Sequence, residues 1–194
     1  YTISDKVVNQ LSEIAEIKAL VAKSRLLPER EIFLRRAAVI KMAHTSTSIE
    51  GNVLKEYQVA QVAEGKKIPA SEEQIREVKN YLSALRGIDK LSGKDKFDTK
   101  DVLNIHKIVV EGLVETEKTG AFRKVPVYIV NILPNKKEEV AYTPPEAKQV
   151  SKLVEELVGW LRESYEIHPI IRAGLFHYQF ETIHPYLDGN GRIG

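Results

Sequence analysis

The residues best equipped for chemistry lie together at the far end of the chain, in the run His184-Pro185-Tyr186-Leu187-Asp188-Gly189-Asn190-Gly191-Arg192. An imidazole at His184 can move a proton near neutral pH. Asp188 offers a hard oxygen ligand to a divalent metal. Gly189-Asn190-Gly191 lets the backbone come close to a ligand and aim several N–H groups at one anion, because glycine reaches positive φ without steric cost. A helix starting just beyond, near Arg192, would add the positive end of its dipole. Arg192 adds a charged fork suited to phosphate oxygens. An Asp-Gly-Asn-Gly string alone is ordinary turn chemistry between helices. With His184 before it and Arg192 after it, the run reads as a phosphate-handling site.

The elements that must position this run are mostly helical. Ser4 precedes a helical pattern with Val7, Leu11, Ile14, Ile17 and Val21 on one face. Pro28 restarts the chain, and a second helix is expected from about 29 to 50, carrying Phe33, Ala37, Ile40 and Met42 and ending in Ser46-Thr47-Ser48-Ile49-Glu50-Gly51-Asn52. Gly51 suits the left-handed residue just past a helix end. Glu50 faces the negative end of the dipole there, which costs a few tenths of a kcal/mol unless a cation answers it. A short helix over 55–64, a capped one opening at Ser71 and Gln74 and broken at Gly93, and one capped by Thr99 follow. His106 reads as a histidine at the edge of the core. Val125-Pro126-Val127-Tyr128-Ile129-Val130, an Asn135-Lys136-Lys137-Glu138-Glu139 turn and Val140-Ala141-Tyr142 predict a hairpin, with Pro126 confining the first strand to an edge. Pro144-Pro145 opens a helix with Val150, Leu153, Val154, Leu157, Trp160 and Leu161 inward. His168-Pro169 starts the last long helix, which delivers His184 at its end; His177 reads as structural.

Composition narrows the function. The 194 residues suffice for one domain, with or without an arm, and 43% hydrophobic content is ordinary for a globular protein. A net charge of +2 gives no argument for nucleic acid or an anionic membrane as the main partner. The absence of cysteine excludes disulfides, thiol catalysis and cysteine metal sites, and fits a reducing cytoplasm. No apolar run reaches membrane-spanning length and no signal-peptide pattern opens the chain. The chain starts at Tyr1 rather than Met, and a fragment of something longer is expected.

The C-terminal run resembles the signature of the Fic family, His-x-Phe-x-(Asp/Glu)-Gly-Asn-x-(Arg/Lys)-x-x-Arg. Tyr186 stands where Phe is usual, adding a hydroxyl that needs a partner, and the chain stops at Gly194, before the second arginine. Ser46-x-x-x-Glu50-Gly51 resembles the family's inhibitory motif, in the subgroup whose inhibitory helix lies N-terminal to the core. The resemblance implies an all-α fold, a helical bundle with one β-hairpin flap. It implies an N-terminal arm over 1–65 bearing the inhibitory helix at about 29–50, and a core over 66–194 cut before its last helix. It further implies a protein adenylyltransferase: ATP over Gly189, Asn190, Gly191 and Arg192, Mg²⁺ on Asp188, and His184 as base for a Ser, Thr or Tyr hydroxyl of a target protein. Val127, Tyr128 and Ile129 would belong to the flap that docks the target. Glu50, with Ser46 on the same face, would inhibit by competing for the second arginine. Three alternatives stay open: a hydrolase that removes AMP using Glu50 to align water, a non-catalytic nucleotide- or peptide-binding module, and phosphate transfer as in the Doc branch. A homo-oligomer is also left open.

Overall fold

A computed structural model describes residues 1–24, 27–91, 97–134 and 137–194. Among them are eight α-helices and one two-stranded antiparallel hairpin, the all-α architecture with a hairpin expected above. The described residues form two compact units, 1–39 and 40–194. The expected break at Gly93 and the first two residues of the hairpin turn, Asn135 and Lys136, lie outside the described residues.

The first unit holds α1 (Asp5–Lys23) and the beginning of α2 (Pro28–Ile49). Ser4 caps α1 as expected, its hydroxyl accepting from the Val7 N–H, and Pro28 is the first residue of α2. The periodic apolar residues do not produce a buried face. Val7 and Leu11 are half-buried, whereas Ile14, Ile17, Val21, Phe33 and Ala37 are exposed.

In the second unit, α2 ends as Gly51 predicts. The Asn52 N–H bonds the Thr47 carbonyl at 3.1 Å and the Gly51 N–H bonds Ser48 at 3.1 Å, a Schellman pair around Gly51 at φ +97°. Its buried residues are Ala43 and Thr47 rather than Met42, which is exposed. Ala43 packs with Leu54, with α3 (Glu56–Ala63) through Val59 and Val62, and with α4 (Glu72–Leu91) through Val78, Tyr81 and Leu82. The Ser71 hydroxyl accepts from the Gln74 N–H, as the sequence predicts. α5 (Thr99–Val109) is capped by Asp98 rather than Thr99. Asp98 has the extended backbone a cap requires, and its carboxylate reaches the Lys100 and Asp101 N–H groups.

A second core joins Val102 of α5 to Val150, Val154, Leu157 and Val158 of α6 (Ala147–Glu163) and to Phe180 and Ile183 of α7 (Pro169–Ile183). α6 starts two residues beyond Pro145, and Pro169 sits in the first turn of α7 behind a His168 cap. The hairpin pairs β1 (Ile129–Ile132) with β2 (Glu138–Tyr142). Its first strand begins later than expected, because Pro126 has no N–H to give a ladder. Val127 and Tyr128 therefore lie in the lead-in and Ile129 opens the strand. The Tyr142 hydroxyl donates to the Thr182 carbonyl at 3.0 Å, fastening the hairpin beside the end of α7.

His106 joins α5 to the C-terminal loop. It is 2% exposed, within the core rather than at its edge, and lies flat on Tyr186 at a ring separation of 3.7 Å. The Gly120 N–H donates to His106 Nδ1 at 2.8 Å, so Nε2 carries the proton and donates to the Asp188 carbonyl at 3.2 Å. Burial pushes the His106 pKa from 6.5 down to about 4. Between those values the unfolded chain binds a proton that the folded chain refuses, so stability rises with pH across the window and is complete above it. The difference amounts to about 3 kcal/mol. Replacing His106 by Phe keeps the stack and removes the titration. Denaturant unfolding at several pH values should show wild type losing up to about 3 kcal/mol more than H106F between pH 6.5 and 4. Equal pH slopes in the two proteins would contradict this role.

Candidate active site

α7 terminates at His184, the only described non-glycine residue with positive φ, at φ 49° and ψ 63°. Holding an L-residue there costs about 1–2 kcal/mol, so something must enforce it. Arg123 does. The residue is 3% exposed, and its guanidinium donates to the carbonyls of His184 at 2.8 Å, Ile183 at 3.2 Å, Pro145 at 2.5 Å and Val125 at 3.3 Å. Its own N–H bonds the Pro185 carbonyl at 2.9 Å. A cation at a helix C-terminus answers both the orphan carbonyls and the dipole.

His184 is three-quarters buried, and burial lowers its pKa, leaving it neutral at neutral pH; the Glu181 backbone opposes the shift and the Arg123 charge adds to it. Its Nδ1 faces the Glu181 carboxylate at 3.9 Å, beyond hydrogen-bond range. Burial also raises the Glu181 pKa, against the nearby His177. His177 is itself exposed at the margin of this group.

The loop after His184 is held from inside. Tyr186 is fully buried and its hydroxyl finds the partner it needs in the Val102 carbonyl at 3.3 Å. The Asn190 side chain accepts from the Tyr186 N–H and donates to the Tyr186 carbonyl, both at 2.9 Å. That side chain is thereby spent on the loop, leaving the backbone to meet a ligand. Gly189 has φ +84°, and a β-carbon there would lie 2.8 Å from Val110 Cγ1, so only glycine fits. The final helix, α8 (Asn190–Ile193), begins two residues before Arg192.

Arg192 is the electrostatic centre. Its side chain is 5% exposed and meets carboxylates from three parts of the chain. Nη2 pairs with Asp188 of its own loop, Nη1 bonds Glu77 Oε1 of α4 at 2.8 Å, and Glu50 Oε2 at the end of α2 lies 4.0 Å from Nη2. A β-carbon at Gly191 would lie 3.0 Å from Glu50 Oε1, so the Glu50 carboxylate sits directly against the loop backbone. Burial raises the Glu77 pKa, while the bond from Asn52 and the charge of Arg192 oppose the rise. A cleft of about 310 Å³ opens here, lined by Glu50, Glu73, Glu77 and Asp188 against Arg192 as its one cation.

The structure thus brings His184, Asp188, Gly189, Gly191, Arg192 and Glu50 to one end of the second unit. Ser46 is turned to α4, where its hydroxyl bonds Tyr81 Oη at 2.9 Å. The sequence alone does not single out Glu77, which flanks an apolar helix stripe as any solvated carboxylate would, or Arg123, whose partners are all backbone carbonyls. No group of three or more metal-binding side chains occurs among the described residues. Asp188, with a side chain 47% exposed, could offer a carboxylate oxygen to a hard divalent cation such as Mg²⁺. No helix among the described residues is long and apolar enough to cross a membrane.

Residues 96–194 match the Fic/DOC family. The protein adenylyltransferase Fic of Culex quinquefasciatus is 33% identical over 168 residues, 82% of this chain and 31% of that protein. The enzyme of the same name from Drosophila willistoni is 30% identical over 200 residues, 96% of this chain and 37% of that one. This chain therefore spans about a third of the length of the curated relatives it matches. The crystal structure of a Fic family protein from Desulfovibrio desulfuricans superposes with a TM-score of 0.80 at 33% identity, covering 100% of this chain and 56% of that one. Fic-1 from C. elegans gives 0.75 at 25% identity, covering 95% and 53%. With its signature loop, its helical core and its hairpin in place, the chain belongs to the Fic/DOC family.

Proposed function

We propose that the protein is an adenylyltransferase that moves AMP from ATP to a hydroxyl of a target protein, and that the arrangement seen here is its inhibited form. The observation that carries the reading is Glu50, whose carboxylate lies against Gly191 and 4.0 Å from Arg192, where phosphate oxygens would have to sit. The cleft is rich in carboxylates and would repel a polyphosphate until Glu50 withdraws. The resemblance implies competition for the second signature arginine, which is not among these residues; the cation that Glu50 approaches here is Arg192, at 4.0 Å.

With Glu50 displaced, ATP would lie along Gly189–Gly191 with Arg192 on its phosphates, and Asp188 would hold Mg²⁺. That ion would supply charge neutralisation on the departing pyrophosphate. His184, neutral through burial, takes the proton of the target hydroxyl. The hydroxyl oxygen forms its bond to the α-phosphorus as the bond to the β-phosphate oxygen breaks. Val127, Tyr128 and Ile129 would present the target, since the hairpin is largely exposed and fastened through Tyr142 to Thr182, two residues before His184.

The test uses the full natural protein with Mg²⁺ and ATP labelled on the α-phosphate. Label should appear on protein with Glu50→Gly and stay near background with wild type. Adding His184→Ala to the E50G protein should remove it, by about 10²–10⁴-fold. Equal labelling of wild type and E50G would contradict the inhibitory role, and labelling that survives H184A would contradict the base. Because burial lowers the His184 pKa from 6.5, the E50G rate should rise through an apparent pKa below 6.5 and be flat above neutrality. A rate still climbing between pH 7 and 9 would assign the proton transfer to another group.

A further inference from the structure

We propose that Asn52 and Glu77 are positioning residues, a latch that seats Glu50 over the anion loop and fixes Arg192 beside it. The inference rests on the reading of Glu50 as the inhibitory group. At 4.0 Å the Glu50–Arg192 approach is too long for a hydrogen bond, and the Glu50 side chain is 25% exposed. No directional bond therefore fixes the Glu50 carboxylate, and something else must set where it points.

That reason lies two residues further on. Asn52 is 7% exposed, and both polar atoms of its side chain are engaged. Oδ1 accepts from the Leu54 N–H at 3.0 Å, while Nδ2 donates to Glu77 Oε2 at 2.7 Å and to the Gln74 carbonyl at 3.1 Å. The second Glu77 oxygen accepts from Arg192 Nη1 at 2.8 Å. A continuous chain of bonds therefore runs from the turn after α2, through α4, to the signature arginine. Glu77 is a firm reference point: its side chain is 12% exposed and it precedes Val78, which is fully buried among α2, α3 and α4. Since Asn52 also closes the Schellman turn on Thr47, fixing its side chain fixes where α2 ends and where the Glu50 carboxylate points. Bonds to charged groups are among the stronger ones, and this link is directional where the direct Glu50 contact is not.

The latch can be broken without removing any atom of the proposed chemistry. Asn52→Asp keeps the acceptor for Leu54 and puts a second carboxylate against Glu77. Self-labelling from α-labelled ATP should rise about tenfold or more over wild type, the equivalent of losing one charge-assisted bond. Adding Glu77→Gln should bring labelling back down. The introduced amide can donate to the new carboxylate while its oxygen still accepts from Arg192. Recovery of inhibition in N52D/E77Q is something that general loosening of the fold would not produce. If E50G labels strongly while N52D stays at the wild-type level, the latch is refuted and inhibition by Glu50 stands. If N52D and N52D/E77Q label equally, the link through Glu77 is refuted. If E50G itself fails to label, the adenylyltransferase reading fails first. Foldedness is read from N52D/E50G, which should match E50G. Should N52D/E50G be inactive, E77Q alone decides: its single oxygen cannot serve both Asn52 and Arg192, so it must label above wild type, and labelling at the wild-type level refutes the latch.

Discussion

One buried guanidinium organises the active end of this protein. Arg192 is 95% buried, and a charge so placed is tolerated only with partners, because the desolvation it suffers is several kcal/mol. Those partners are Asp188, Glu77 and Glu50, drawn from the signature loop, the second turn of α4 and the end of α2. Three segments far apart in the chain therefore converge because a single cation must be answered. The same requirement explains why a carboxylate is tolerated at the end of α2. Glu50 faces the wrong end of the helix dipole, and Arg192 is the cation that offsets this.

Around that charge the backbone is fixed by groups with little freedom left. Arg123 binds the last carbonyls of α7 and holds His184 in a left-handed conformation. Asn190 braces the Tyr186 peptide from both sides, and His106 stacks on the Tyr186 ring while holding Gly120 and the Asp188 carbonyl. The backbone of a loop braced this way is set before any ligand arrives. Such preorganisation is what electrostatic catalysis of phosphoryl chemistry requires. Glu50, with a side chain that is 25% exposed, is the member of this group with no hydrogen bond of its own to the loop.

Local features of this architecture were legible in the sequence, and non-local ones were not. Ser4, Pro28, Gly51 and Pro169 mark helix ends through their own backbone preferences, and the structure places the ends where they indicate. The helical core and the hairpin followed from periodicity and from the family resemblance. Thr99 and Asp98 are both competent caps, and only the backbone angles choose between them. The apolar residues of α1 and the start of α2 have helical spacing yet remain exposed, since periodicity describes a face and not what covers it. Glu77, Arg123 and the second function of His106 depend on partners remote in sequence. Glu77 becomes important only because Arg192 and Asn52 arrive on either side of it, and no local pattern announces that.

Glu50, lying against Gly191 and near Arg192, would occupy the place of nucleotide phosphate. The most direct measurement is calorimetric titration of the full natural protein with Mg-ATP, comparing wild type with Glu50→Gly. Removing one carboxylate beside Arg192 should tighten binding by about tenfold or more, since charges this close interact on a scale of a few kcal/mol even when partly screened. Equal affinity in the two proteins would show that Glu50 does not contest the phosphate site, and the central claim would fall.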